Sequence, residues 1–175
     1  MLLGWSAVWT ILAFLLEGSE YGFGAPQVGL VALAGLGGVV SGQAGARLVG
    51  AVGEACAVRG AIVVAGLACL GLALSATSLV ALLVALFVHN TAVWTIQAIN
   101  VPAAARRAGP TEAARGTALL YLTNFICTGV GAVVGALVWS ANGWPGIGLL
   151  AAACCAVSLG LEIVGRVAVD GGTDP

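Results

Sequence analysis

The sequence predicts an all-α integral membrane protein, a bundle of six transmembrane helices. Three observations carry this: too little charge to cover a water-facing surface, six apolar segments of spanning length, and arginines confined to alternate loops. Of 175 residues, 61% are hydrophobic and 7% charged, and the mean hydropathy is +1.10. A water-soluble domain carries about 25% charged residues because its surface must face water. Lipid must therefore be the solvent for most of this exterior. All the basic residues are arginines, and the net charge of -1 argues against nucleic acid as a partner.

A helix needs roughly 20 mostly apolar residues to cross the hydrocarbon core. The segments 2–17, 26–46, 58–76, 78–100, 115–139 and 145–165 qualify. Together, residues 1–165 form one transmembrane domain, and 166–175 form a short polar cytoplasmic tail. The stretch from Met1 to Leu16 follows no Lys or Arg and precedes no clean small-x-small cleavage site, so it reads as a span that stays. It is also the shortest segment, and with no charged leader it points to a chain cut at its N-terminus, a fragment.

Orientation follows from the arginines, which concentrate in cytoplasmic loops. Arg47 and Arg59 flank the loop between segments two and three. Arg106, Arg107 and Arg115 belong to the loop between four and five, and Arg166 follows segment six. The opposite loops hold Glu17 and Glu20, then SATS, then ANGWPG. Both termini are expected in the cytoplasm, the chain being a multi-pass protein of the cell (inner or plasma) membrane. Trp139 and Trp144 bracket the last outer turn, where amphipathic rings settle at an interface.

Between helices in lipid, small residues allow close backbone approach. In segment two, Gly35, Gly38, Gly42 and Gly45 fall within about 80° of one another at 100° per residue. Gly131 and Gly135 form a GxxxG pair in segment five. These glycines are the expected helix-packing positions.

Polar groups inside spans are costly unless paired or facing water. His89, Asn90, Gln97 and Asn100 share an arc of about 100° in segment four, with Trp94 at its edge. Thr117, Tyr121, Asn124 and Thr128 fall within about 60° in segment five. Such stripes either hydrogen-bond helices together or line a water-accessible cavity. His89, Asn90, Trp94, Gln97, Asn100, Tyr121 and Asn124 are the substrate-cavity candidates. His89 is either a proton-coupling group or a neutral side chain bonded to a neighbouring helix.

Cys56, Cys69, Cys127, Cys154 and Cys155 have no metal-ligand spacing and read as small apolar packing residues. No metal and no cofactor are expected. An enzyme is not expected either. Ser41, in GVVSG, lacks the glycine two residues before it that an intramembrane GxSG serine requires, and His89 precedes the span where a base would stand. No HExxH, phosphate-binding loop or dinucleotide fingerprint is present.

The segment PQVGLVALAGLGGVVSGQAGARLVGAVG, then QAIN, EAARGTALLYLTNF and GVGAVVGALVWSANGW, stand in an order and spacing that resemble the C-terminal six-helix half of major facilitator superfamily transporters. The resemblance covers about residues 1–165 and is nearest the bacterial efflux branch. It implies transport of a small molecule by alternating access, with segments one and four lining the cavity, two and five flanking it, and three and six supporting. The family's charged latch after the second helix is not carried over: Arg47, Leu48 and Gly53 match its pattern, but Gly50 and Ala51 stand where its Asp and Arg would be. That family encloses its substrate between two halves, and this chain supplies one. Its expected partners are the lipid bilayer, a small-molecule substrate, and a second six-helix half or a second copy of itself. The alternative is a truncated, non-transporting remnant or a structural membrane protein.

Overall fold

The computed structural model describes residues 1–170, with side chains through residue 165. The side chain of Arg166 and the last five residues of the expected tail lie outside the described residues. All the described secondary structure is helical: α1 (Leu2–Glu17), α2 (Ala25–Val31), a tighter 3-10 stretch (Ala32–Leu36), α3 (Gly37–Ala73), α4 (Leu79–Ala108) and α5 (Ala113–Asp170). In place of six separate helices, the described residues form four helical runs, since α2, the 3-10 stretch and α3 are continuous. Three runs are long and apolar enough to cross a membrane: Ala25–Ala73, Leu79–Ala108 and Ala113–Gly165.

Two of these runs are folded on themselves. Gly53 sits at φ 81°, ψ 161° inside α3, and Gly143 at φ 62°, ψ −158° inside α5. Those are conformations that only glycine adopts without strain. The side contacts show what each glycine does. Before Gly53, Gly37 abuts Phe87 and Thr91 while Gly45 abuts Thr95 and Ile99, so this leg runs parallel to α4. After it, Cys69 meets His89 and Gly71 meets Ala85, so the second leg runs antiparallel to α4. Likewise Gly131 abuts Leu3 and Gly135 abuts Ala7. Beyond Gly143, Gly4 abuts Ala151, and the Met1 ammonium donates to Ser158. The chain therefore reverses at each of these glycines within a single residue.

This register reveals the same packing twice. α4 lies parallel to the 37–52 leg and antiparallel to the 54–73 leg. α1 lies parallel to the 113–142 leg and antiparallel to the leg that follows Gly143. The core fills the space between them, with Ile11, Leu16, Leu72, Leu82, Leu86, Ile96 and Ile147 fully buried. Large apolar residues such as Leu67, Phe125, Val133, Leu137 and Val157 point outward, as lipid-facing side chains would.

Helix ends differ from the expected segments. α4 continues past residue 100 through Pro102 to Ala108. Hydropathy finds the apolar stretch, but arginines remain helical beyond it, and Arg106 and Arg107 in the last turn favour the negative end of the helix dipole. The wide loops expected near residues 47–57 and 140–144 shrink to Gly53 and Gly143 for the same reason. Ser78 caps α4, its hydroxyl accepting from the Ala81 N–H at 3.4 Å. Trp144 is a clear correction. It is not an interface anchor but is buried, its indole N–H donating to the Leu72 carbonyl at 2.7 Å. The same carbonyl accepts locally from the Ser75 N–H and hydroxyl, at 3.1 and 2.8 Å, so the indole adds a tie across the bundle at the helix end.

Candidate functional site

The polar centre of the molecule is built around Asn90. On α1, Trp5 and Trp9 are four residues apart and so share a face. The Trp5 indole donates to the Asn90 side-chain oxygen at 3.0 Å, and the Asn90 amide donates to the Gly35 carbonyl at 2.8 Å. Asn90 thereby ties α1, α4 and the 3-10 stretch with one side chain. Gly35 belongs to the 3-10 stretch, and its carbonyl accepts the Gly37 N–H as well as the Asn90 amide.

Aromatic rings close over this junction. Trp5 and Trp94 stand edge to face with centroids 5.9 Å apart, and Trp5 and Trp9 are tilted at 6.3 Å. Gly38 lets the Trp94 ring come close: a Cβ there would lie 3.0 Å from it. Trp94 remains 43% exposed, presenting a ring on the outside of the junction. The Trp9 indole nitrogen is buried without a hydrogen-bond partner.

Depth can be read from the helix rise. Trp5 lies 12 residues from Glu17, Gly35 lies 10 from Ala25, and Asn90 lies 11 from Leu79, all counted from the end opposite the arginines. At 1.5 Å per residue this is roughly 15 to 18 Å, about half of a 30 Å hydrocarbon core. The junction therefore stands level across three elements, at what would be the bilayer midplane.

The other expected site residues scatter. His89 adjoins Asn90 in sequence but projects toward the 54–73 leg, where Nδ1 lies 3.3 Å from the Cys69 sulfur. Its Nε2 is buried without a partner. Gln97 is half-buried on α4. Asn100 lines a separate groove of about 310 Å³ with Met1, Ser158 and Glu162. Tyr121 is 47% exposed on the 113–142 leg, and Asn124 is half-buried there. The structure thus joins Asn90 and Trp94, and leaves His89, Gln97, Asn100, Tyr121 and Asn124 outside that junction. A shared helical arc of about 100° is wide enough to face two different neighbours, which is why the wheel grouped them.

Trp5, Trp9 and the Gly35 carbonyl were missed by the sequence reading. The tryptophans had a legible signal, an i, i+4 aromatic pair in an apolar span. The carbonyl had none. Of the expected packing glycines, Gly35, Gly38, Gly131 and Gly135 meet neighbouring helices, whereas a Cβ at Gly42 would meet nothing within 4 Å. Gly42 is a correction: it lies inside the arc of about 80°, yet it is exposed and meets no neighbouring helix.

At the arginine end, Arg106 and Arg107 both reach Glu54, at 2.7 and 2.8 Å. Arg115 pairs with Glu112 on the next element at 3.5 Å. Among the described residues no three His, Cys, Asp or Glu side chains gather as a metal site would need. No family model, curated protein or solved structure matched the chain.

Proposed function

We propose that the chain makes six membrane crossings and works as half of a secondary carrier of the major facilitator type, moving a small solute by alternating access. On this reading both termini and the arginine loops lie in the cytoplasm, and the protein resides in the cell membrane. The crossings are α1, the run from Ala25 to Gly53, the 54–73 leg, α4, and the two legs of α5.

The observation that carries the reading is the Asn90 junction. Transporters of this general kind bind near the midplane, where a helix is interrupted and polar groups are exposed between repeated units. Here an interrupted helix, a satisfied amide and a half-exposed tryptophan meet at mid-depth. The twice-repeated parallel and antiparallel packing supports it independently. A second six-helix unit, from another chain or a second copy, would cover the Trp94 side and complete the vessel.

The test is flux. Vesicles loaded with a panel of neutral and amphipathic fluorescent solutes should release at least one faster when they contain the chain, alone or with a second half. Asn90→Ala should slow that release about tenfold, a loss of about 1.4 kcal/mol, with helix content unchanged. Absence of release for every solute in both settings would retire transport in favour of a structural membrane protein.

A further inference from the structure

We propose that the trough between the 37–52 leg and α4 binds one anionic phospholipid, its acyl chain lying along Gly42, Gly45 and Ala46 and its phosphate held by Arg106 and Arg107.

The trough is a groove of about 310 Å³ whose walls include Gly42, Gly45, Ala46, Ile99 and Pro102, and whose mouth carries Glu54 and Arg106. Its apolar part combines small residues, Gly42, Gly45, Ala46 and Ala98, with Val49, Ile99 and Pro102. The space above Gly42 is open to a further atom.

Its length matches one leaflet. Gly42 lies 11 residues before the turn at Gly53, which is about 16 Å of helix. Half of a 30 Å hydrocarbon core is about 15 Å. A chain whose headgroup rests at the arginines would therefore end near Gly42.

The charge at the mouth selects the headgroup. Two guanidiniums share one carboxylate, Glu54, each through a single terminal nitrogen. The Arg106 and Arg107 side chains are 62% and 67% exposed while that of Glu54 is 25% exposed. The carboxylate thus sits inside and orients the pair, and their outer N–H groups face the medium. A guanidinium carries five donors in a fork that fits phosphate oxygens. Among the described side chains at this end, Arg47, Arg59, Arg106, Arg107 and Arg115 outnumber Glu54, Glu112 and Glu162. A positive surface beside an acyl-sized trough fits an anionic lipid better than a zwitterionic one. A soluble phosphate would use the mouth but leave the trough empty.

The site rests on the membrane reading, which has its own control. A chain washed from membranes by alkaline carbonate fails that reading. A chain that is retained but shows no lipid preference fails the site alone. The experiment is lipid titration of the detergent-purified chain, following tryptophan fluorescence and thermal unfolding. The probes are phosphatidylglycerol, phosphatidylcholine and glycerol phosphate.

The expected result is phosphatidylglycerol binding about tenfold tighter than phosphatidylcholine, with glycerol phosphate far weaker than either. Replacing Arg106→Gln together with Arg107→Gln should bring the two lipids level. Gly42→Leu fills the trough without touching the arginines, so it should weaken both lipids while the unliganded unfolding midpoint stays put. Equal binding of both lipids by the native chain overturns the site, whatever the variants do. So does glycerol phosphate binding as tightly as the lipid, or stabilisation that follows protein concentration and ignores lipid, which would make the trough a seam between two copies.

Discussion

Two parallel helix pairs occupy equivalent places in this molecule, and they are held by different chemistry. Where α1 meets the 113–142 leg, backbone meets backbone. Gly131 lies against the Leu3 main chain, Gly135 lies 3.0 Å (measured from an added Cβ) from Ala7, and the Ser6 hydroxyl donates to the Thr128 carbonyl at 2.7 Å. Where α4 meets the other parallel leg, Gly37 and Gly45 also face main-chain carbonyls, those of Phe87 and Thr95, but polar and aromatic side chains join the seam: Trp94 over Gly38, and Asn90 on the Gly35 carbonyl. The first seam has no slack. The second adds an amide and an indole beside a 3-10 stretch, so part of its hold rests on side-chain chemistry. Two seams in the same position of two similar units are thus held in different ways, one mainly by close main chain and one with an added polar and aromatic tie.

The sharpest way to break the comparison is Gly131→Leu. An added Cβ would fall on the Leu3 carbonyl and within 2.9 Å of its Cα. Main chain on both sides cannot yield, so destabilisation of more than about 3 kcal/mol is expected, read as loss of folded yield in a detergent-exchange assay. A folded, native-like Gly131→Leu protein would mean the seam is loose after all.

Asn90→Leu comes next. It leaves the Trp5 indole without a partner and takes the Asn90 amide from the Gly35 carbonyl, at a cost of about 2 kcal/mol. Equilibrium unfolding in mixed micelles measures it, and a change too small to detect would remove Asn90 as the tie. Trp5→Phe keeps most of the ring and loses only the donor, so about 1 kcal/mol is expected. An intensity change of the remaining tryptophan emission should accompany it, because a phenyl ring would stand beside Trp94 in place of the indole.

Gly42→Leu should be the mildest, within about 0.5 kcal/mol in the absence of lipid. The sequence pattern taken alone assigns Gly42 to the packed stripe and anticipates poor folding. A collapse of Gly42→Leu would restore it to a helix seam and make the two parallel pairs more alike.

Much of the fold is legible in the amino-acid sequence because the solvent dictates it. Apolar length finds the helical runs, and the breaks expected after segments two and five fall at Gly53 and Gly143. Helix ends were less legible. Hydropathy reports where the chain is apolar, whereas α4 runs on through Pro102 and its arginines. At the site, the wheel correctly marked Asn90 and Trp94 as neighbours on one helix. It could not tell that His89, one step round, would meet Cys69 instead, because residue type says what must be satisfied but not by which neighbour. Gly35 entered the reading as a small residue and matters as a carbonyl, a property that every residue shares and no sequence pattern displays.

The one-residue reversals at Gly53 and Gly143 bear on how the chain can be handled. Proteases and inserted tags succeed at exposed loop tips with spare backbone, and neither reversal has any. Usable connections remain between α1 and α2, between α3 and α4, and between α4 and α5, around Gly109–Thr111. An epitope placed in that last connection would report from the arginine end, and one placed near Ser19 from the other. The same insertion at either glycine hinge would pry apart two antiparallel legs, so a failed tag there would speak of geometry rather than of topology.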